Sequence, residues 1–393
     1  MPDMSQLYAA AVTVDVTPGP GHAMTGYASR TGVATGTHDP LEANLLWLRS
    51  QPAADSKEAA GDLVWVSLDA VGITWPTREA VAAAVAEATG VPTEQVVVAA
   101  SHSHSAPAGW VGQIMPLLPY GVEPDLLADL ADRIAQAAAG LQLTAADLSF
   151  ETTRIEGVGL ERHDPELPAE LSSGVLAVRV ADQLIGLLFD FACHPTVLDH
   201  TALEWSADWV YGARLALREA YPGLPVMFLQ GCTGDAGPQF TMQEQTYAEI
   251  QRLGRLAGPP LLAALAGQPV IGAVRVRRTE LALPPRLPAA EVVAQDGVRL
   301  NDAGQMRVPV SLVEVGQQRW LHLPFEPVRS VGARIREVHP DLRVVGYSDG
   351  YLSYLVDASC FEHGWYEARV SLAGLADSDA LVAALADWVA QPR

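Results

Sequence analysis

The stretch VVVAASHSHSAPAGW, residues 96–110, passes abruptly from apolar residues to two closely spaced histidines. Val96, Val97 and Val98 are typical of an interior β-strand. His102 and His104 are two residues apart, so their side chains project to the same side of the chain where it leaves the sheet. This geometry suits a metal ion or a proton transfer, and it also suits a hydrogen-bonded turn.

The composition is that of an acidic globular protein. Of the 393 residues, 49% are hydrophobic and 18% are charged, which indicates a folded chain with an ample core. The 25 basic and 46 acidic side chains give a formal net charge of −21, which repels phosphate backbones and anionic lipid. We therefore expect neither a nucleic-acid partner nor stable membrane insertion, and the oligomeric state stays open.

The cysteines and the hydropathy pattern predict a cytoplasmic location. Cys193, Cys232 and Cys360 are far apart and form no CxxC motif, which is typical of a reducing compartment. The first residues lack the basic segment of a signal peptide, and no run of about 18 apolar residues is long enough to span a membrane.

Strand-like and helix-like segments alternate along the chain, which predicts an α/β fold with mixed β-sheets flanked by helices. The segment TREAVAAAVAEATG is expected to form a helix with Thr77 as its N-cap and Gly90 at its end. A later helical segment is expected to break at Pro259 and Pro260. Without repeats or flexible linkers, one domain over residues 1–393 is the simplest organisation.

Four other segments also place reactive side chains at predicted strand ends, where ligands of open α/β sheets collect. FDFACHPTVL contains His194, WLHLPFEPV contains Glu326, and FLQGCTGDAGP contains Cys232. The fourth segment, residues 344–368, is rich in tyrosine. Taken singly, each has a structural explanation, such as a core histidine or an acid at a helix N-terminus. Together, two histidine sites and a carboxylate offer the ligands that Zn²⁺ prefers, with an open position for water.

These motifs, in this order, resemble the N-terminal catalytic domain of the neutral (non-lysosomal) ceramidases, in a short bacterial-type form without their C-terminal β-domain. SHSHSAP is similar to the family's T-H-T-H-S/A-G-P, FACHPT to its A-x-H-P-T, and LPFEP to its L-P-G-E element. Tyr354 and Tyr366 keep the family's interval of twelve residues between two functional tyrosines. The resemblance extends from about residue 10 to residue 370.

The resemblance implies a zinc-dependent amidohydrolase that acts on linear amides, with a ceramide-like or smaller N-acyl substrate and a place in sphingolipid metabolism. It implies that zinc is held by His102, His194, Glu326 and Tyr354. It places His104 just outside the ligand shell and implies that Arg162 and Tyr366 bind the substrate carbonyl. Either Glu326 or His104 is expected to deprotonate the attacking water. The acyl and amine parts of the substrate are not specified by these residues.

Three other interpretations stay open at this stage. A TIM-barrel amidohydrolase also uses an HxH motif, but on its first strand, whereas several predicted strands precede His102 here. A cysteine hydrolase would use Cys232 with a histidine and Asp235. A non-catalytic ligand-binding protein would keep the fold with a structural or vacant metal site.

Overall fold

Three large β-sheets and three two-stranded ladders, with helices on their outer faces, make up the described part of a computed structural model, residues 6–51, 61–167 and 169–391. Numbered in chain order, the strands are β1 (Gln6–Asp15), β2 (Gly36–Thr37), β3 (Glu42–Gln51), β4 (Gly61–Leu68), β5 (Val96–Ala100), β6 (Thr144–Ala145), β7 (Asp147–Arg154), β8 (Leu160–Glu161), β9 (Ser172–Val180), β10 (Gln183–Phe191), β11 (Glu204–Trp205), β12 (Val226–Gln230), β13 (Ala236–Gly237), β14 (Gln268–Pro269), β15 (Val274–Leu283), β16 (Met306–Val315), β17 (Gln318–His322), β18 (Glu326–Pro327), β19 (Leu342–Val345) and β20 (Tyr354–Leu355). The α-helices are α1 (Trp75–Thr89), α2 (Ala108–Val111), α3 (Pro124–Ala139), α4 (Trp209–Ala220), α5 (Tyr247–Ala263), α6 (Ala289–Val292), α7 (Arg329–Val338), α8 (Ala358–His363), α9 (Tyr366–Val370) and α10 (Leu375–Ala390).

The valine run at residues 96–98 forms part of β5, which is buried on both faces as its sequence predicts, although it is the edge strand of the first sheet and not an interior one. Val97 and Ala99 point into the core between the sheets. Val96, Val98 and Ala100 point the other way, into the cluster beneath α1 and α3. An apolar side chain is therefore needed at every position, which is why the run does not alternate with polar residues.

The three large sheets share one central core. Their strand orders are β5-β4-β3-β1-β6, β12-β10-β9-β7-β14 and β15-β16-β17-β19. Trp65 of the first sheet contacts Trp320 of the third edge-on at 5.3 Å, and Phe150 of the second contacts the same Trp320 ring at 5.8 Å. The outer face of the second sheet packs against α4 and α5. The outer face of the third sheet packs against α7 and α10.

Each large sheet contains one parallel strand pair, and the carboxyl ends of these pairs meet. The pairs are β4 with β5, β10 with β12, and β17 with β19. Ala100 donates its N–H to Tyr347 O at 3.0 Å, and Gly346 donates to Gln230 O at 2.9 Å. The buried Gln230 side chain bonds Ser101 O at 3.1 Å and Cys193 O at 3.0 Å. The polar segments that follow these strands are therefore joined at one place.

The mixed α/β architecture with flanking helices is confirmed, and the helix predictions are partly confirmed. Gly90 ends α1 in a left-handed conformation, as expected, with φ of +73°. The N-cap assignment to Thr77 is wrong, because Thr74 occupies that position. Thr77 is instead buried within the helix, where its hydroxyl donates to Trp110 O at 2.7 Å.

The predicted helix break at Pro259 and Pro260 is also wrong, because α5 runs through both prolines. Tertiary packing explains the difference. A Cβ atom added at Gly254 would lie 2.3 Å from Ala213 N of α4. The two helices are thus in close backbone contact, which favours continuing α5 despite the missing backbone donors.

Among the described residues, no helix combines the length and apolar character needed to cross a bilayer. The cytoplasmic location and the organisation as one domain stay predictions.

A buried ionic network joins the first sheet to α4 and generates a stability prediction. Arg214 is fully buried and pairs with Asp69 directly after β4, at 2.5 Å between Nη1 and Oδ2. Arg218, also on α4, pairs with Glu42 at 2.5 Å. Removing one partner of a buried ion pair leaves an uncompensated charge, which costs about 3–5 kcal/mol.

We expect Arg214→Met to lower the free energy of unfolding by about 3–5 kcal/mol, measured by urea denaturation, because the Asp69 carboxylate loses its cation. Arg299→Gln is the control, since Arg299 pairs with Glu79 at the surface and exposed pairs contribute about 1 kcal/mol or less. Equal losses in the two variants would contradict the role given to the network.

Candidate active site

His102 leaves the first sheet in a backbone conformation that histidine rarely adopts. It follows β5 with φ of +69°, in the left-handed region. Such backbone strain costs on the order of 1–3 kcal/mol and is concentrated at functional sites. Nδ1 lies 2.5 Å from the carbonyl oxygen of Val71, so the imidazole donates its Nδ1 proton there. In the neutral ring, Nε2 then carries a free lone pair.

His194 is oriented in the same way from the second sheet. It follows β10, and its Nδ1 donates to the carbonyl oxygen of Ala236 at 3.0 Å. Burial and the neighbouring His102 ring lower the pKa of His194, which favours the neutral imidazole. Its Nε2 therefore also presents a lone pair, 3.4 Å from Oε2 of Glu326.

Glu326 lies at the end of the third sheet and is buried beside both histidines. Burial by itself raises the pKa of this carboxyl, but His102 and His194 outweigh that effect and hold the pKa well below its usual range. Tyr347 donates to Oε2 at 3.2 Å, and Tyr351 donates to Oε1. His102 Nε2 lies 3.3 Å from Oε2. The ionised carboxylate is thus fixed with one oxygen toward the imidazoles.

The separations among these acceptor atoms fit one divalent cation. Lone pairs that face each other without a shared proton repel, and a cation between them removes that repulsion. Two ligands at about 2.1 Å from a tetrahedral zinc are about 3.4 Å apart. The separations of 3.3 and 3.4 Å from Oε2 agree with that value. In metal-binding histidines the other ring nitrogen donates to a carbonyl or carboxylate, as Nδ1 does in His102 and His194.

His104 belongs to the same cluster. Its Nε2 lies 3.2 Å from Nε2 of His102, and the ligand nitrogens of His102, His104 and His194 are all within 4.8 Å of one another. These three buried or half-buried rings form a group that can hold a metal ion. Distance alone therefore does not separate His104 from the ligands, and its expected place outside the shell stays a prediction.

Three residues near the N-terminus fix the position of the His104 ring. A Cβ atom at Gly26, whose φ is +99°, would lie 2.7 Å from the His104 Cβ, so glycine is required there. Arg30 donates to His104 O at 2.6 Å, and the Tyr27 ring contacts the imidazole edge-on at 4.9 Å. Burial and the two neighbouring imidazoles hold the pKa of His104 well below its usual value.

Arg162 and the two predicted tyrosines form the opposite side of the site. The Arg162 guanidinium lies 5.7 Å from the ring centre of Tyr354 and 5.8 Å from that of Tyr366. Its Nε donates to Oε1 of the buried Glu367 at 2.6 Å, and His163 contacts the same oxygen at 2.9 Å. This anchoring fixes the arginine with its guanidinium group beside both tyrosine rings.

Tyr354 lies next to Glu326 because β18 and β20 are parallel, with these two residues in register. Burial and the Glu326 carboxylate raise the pKa of the Tyr354 phenol well above its usual value, and Arg162 opposes that effect. A phenolate ligand at this position would therefore need a cation to stabilise it.

All seven sequence-predicted residues line one cavity of about 390 Å³: His102, His104, Arg162, His194, Glu326, Tyr354 and Tyr366. The structure thus brings them together, and the roles assigned to each stay predictions. Sequence reasoning missed Tyr347, Tyr351 and Glu367, which hold Glu326 and Arg162. The tyrosine-rich segment was visible in the sequence, but aromatic density alone more often indicates packing.

The cysteine-hydrolase interpretation is contradicted by the surroundings of Cys232. The thiol is buried in the apolar cluster of the third sheet, where a Cβ at Gly332 would lie 2.4 Å from Sγ. Burial raises the pKa of this thiol to about 12. Asp235 instead accepts a hydrogen bond from Arg329 N at 2.7 Å, at the start of α7. Cys232 is a core residue.

The fold is similar to that of solved ceramidases. The crystal structure of neutral ceramidase from Pseudomonas aeruginosa superposes with a TM-score of 0.80 at 19% sequence identity, covering 98% of this chain and 74% of that one. A ceramidase complexed with C2 gives 0.79 at 18% identity, covering 98% and 75%. No protein-family model and no curated protein matches the sequence. The similarity inferred from the motifs is therefore confirmed for the fold.

The geometry of the cluster predicts that divalent metal stabilises the folded protein. After treatment with a chelator, Zn²⁺ at one hundred times its Kd should stabilise the wild type by about 3 kcal/mol, because the converging acceptors exist only in the folded state. The readout is the shift of Tm on zinc addition. His194→Ala should abolish the shift.

The matched control is His22→Gln, because His22 pairs with Glu123 and does not line the cavity. An equal zinc shift in wild type and His194→Ala would contradict the assignment.

Proposed function

We propose that this chain, which has the fold of a neutral ceramidase, is a zinc-dependent hydrolase that cleaves the amide bond of an N-acyl compound. The observation that carries the proposal is the meeting of two oriented imidazoles and one ionised carboxylate at separations of 3.3 and 3.4 Å. They line a cavity that also contains an anchored arginine. Similarity to the two ceramidases supports amide hydrolysis as the reaction class.

His102, His194, Glu326 and Tyr354 would hold the metal. When bound in such a site, zinc makes a water molecule nucleophilic near neutral pH and polarises a carbonyl group. A catalytic site needs an open position for that water, and the cavity beside these side chains supplies access to it.

Arg162 and Tyr366 would bind the carbonyl oxygen of the amide. Negative charge develops on this oxygen when water adds to the carbonyl carbon, and preorganised donors stabilise it strongly. The bond from Arg162 to Glu367 fixes the guanidinium before the substrate arrives. A charge-assisted hydrogen bond from this position needs little rearrangement during the reaction.

We assign the proton transfers to His104 rather than Glu326. Both oxygens of Glu326 already accept hydrogen bonds, from Tyr351 and Tyr347. His104 lines the cavity, and its Nε2 lies 3.2 Å from Nε2 of the proposed ligand His102. His104 would take a proton from the attacking water and donate it to the amide nitrogen as the C–N bond breaks. The products are a carboxylic acid and an amine.

The test is hydrolysis of a short N-acyl amine by zinc-loaded protein, followed by release of the amine. Removing the metal with a chelator should abolish turnover, and added Zn²⁺ should restore it. Glu326→Gln should lower kcat/KM by at least about a hundredfold, because it removes the charge that orients the site. Metal content, measured by mass spectrometry, should fall in the same variant.

Cys232→Ala is the control for this experiment, with kcat/KM expected within about threefold of wild type because the thiol lies in the core. Turnover that survives complete metal removal would refute the zinc mechanism. Ligand binding without hydrolysis of any amide would favour the non-catalytic interpretation.

A further inference from the structure

The lining of the cavity includes two chemically different groups of side chains. We call them the apolar wall, formed by Ile114, Met115 and Leu118, and the polar wall, formed by Thr196, Asp199 and Gln245. A substrate that fills the cavity therefore presents an apolar half to one wall and a hydrogen-bonding half to the other.

The two walls are built by different segments of the chain. Ile114 and Leu118 belong to the same core cluster as Val71, whose carbonyl orients His102. Thr196 and Asp199 lie on the segment that follows His194. Both walls line the same cavity as His102 and His194, so a substrate with its scissile bond at the cluster can contact both.

The position of His104 decides which half faces the polar wall. Tyr27 contacts the His104 ring edge-on and donates its hydroxyl to Leu198 O at 2.6 Å. Leu198 directly precedes Asp199. His104 is therefore linked to the polar side. Because the proposed reaction delivers the His104 proton to the amide nitrogen, the amine half lies against the polar wall.

The polar wall has hydrogen-bonding capacity that the described residues leave unused. The Thr196 hydroxyl is buried and has no partner among them. Asp199 Oδ1 accepts hydrogen bonds from the amide and hydroxyl of Thr201 at 2.8 and 2.6 Å. The hydrogen bond from the Thr201 hydroxyl, and after it the one from the Thr201 amide, lower the pKa of the Asp199 carboxyl and keep it ionised. Arg30 contacts the backbone oxygen of Asp199 at 3.4 Å, not its carboxylate.

We propose that the leaving amine is a small hydrophilic amine with a hydrogen-bond donor, either an ammonium or a hydroxyl group, that the Asp199 carboxylate accepts. The acyl half is apolar and packs against the apolar wall. This inference rests on the proposed amide hydrolysis. The excess of acidic side chains in the whole chain, 46 against 25 basic ones, adds a long-range preference for cations over anions.

The experiment compares four hexanoyl amides of nearly equal size, formed from ethylenediamine, ethanolamine, propylamine and β-alanine. They end in an ammonium, a hydroxyl, a methyl and a carboxylate group, respectively. We expect kcat/KM for the ammonium and hydroxyl compounds to exceed that for the methyl compound by at least about tenfold, the effect of one hydrogen bond to a charged group. The carboxylate compound should be the poorest substrate.

Asp199→Asn should lower kcat/KM for the ammonium compound by about tenfold and leave the methyl compound within about twofold, because asparagine keeps the acceptor for Thr201 but loses the charge. The matched control is Asp132→Asn, which removes the same charge from an exposed position of α3 outside the cavity. This control should change kcat/KM for the ammonium and methyl compounds by no more than about twofold.

The inference would be overturned if kcat/KM for the ammonium and hydroxyl compounds exceeded that for the methyl compound by less than tenfold. It would also be overturned if Asp199→Asn left the ratio of kcat/KM between the ammonium and methyl compounds unchanged. Preference for a long-chain sphingoid amide would overturn it as well. If wild-type protein hydrolyses none of these amides, the proposed function itself fails. Hydrolysis of all of them without discrimination would refute only the assignment of the amine half.

Discussion

Two backbone carbonyls determine what this site can do. Val71 and Ala236 each accept a proton from Nδ1 of a histidine, and they thereby turn the Nε2 lone pairs of His102 and His194 toward one carboxylate oxygen of Glu326. Three acceptor atoms that face one another in a buried place repel unless a proton or a metal ion lies among them. The metal hypothesis follows from this arrangement of acceptors and does not depend on any single motif.

The fold creates this arrangement by joining three sheets at one point. Each sheet contains one pair of parallel strands, and the chain carries His102, His194 and Glu326 beyond the carboxyl ends of these pairs. Local strain accompanies the convergence, because His102, Tyr347 and Ser353 all have positive φ values. Such conformations persist only where the surrounding structure holds them. Here the hydrogen bonds of Gln230 and of the neighbouring backbone supply that support.

The sequence predicted the proposed metal ligands better than the residues that hold the site side chains in place by hydrogen bonds. His102, His194 and Glu326 each follow an apolar strand in a short motif, so their types and spacings were informative. Tyr351 and Glu367 were missed because their function depends on which buried group lies opposite them, and only the tertiary fold decides that. The same limit explains the α5 error, since the close contact between Gly254 and α4 has no signal in local sequence.

The two walls of the cavity give the site a direction. The apolar wall belongs to the core beneath the first sheet, whereas two residues of the polar wall lie on the segment that follows His194. His104 stands beside the polar wall through Tyr27 and Leu198. A catalytic proton and a hydrophilic leaving group are thus expected on the same side, which relates the chemistry of the site to the kind of molecule that it receives.

The most direct measurement is a crystal structure of the zinc-loaded protein with anomalous diffraction data collected on both sides of the zinc absorption edge. The account predicts one strong zinc peak within about 2.0–2.2 Å of Nε2 of His102, Nε2 of His194 and an oxygen of Glu326. A cavity without anomalous density in zinc-saturated crystals, or zinc bound elsewhere on the chain, would contradict it.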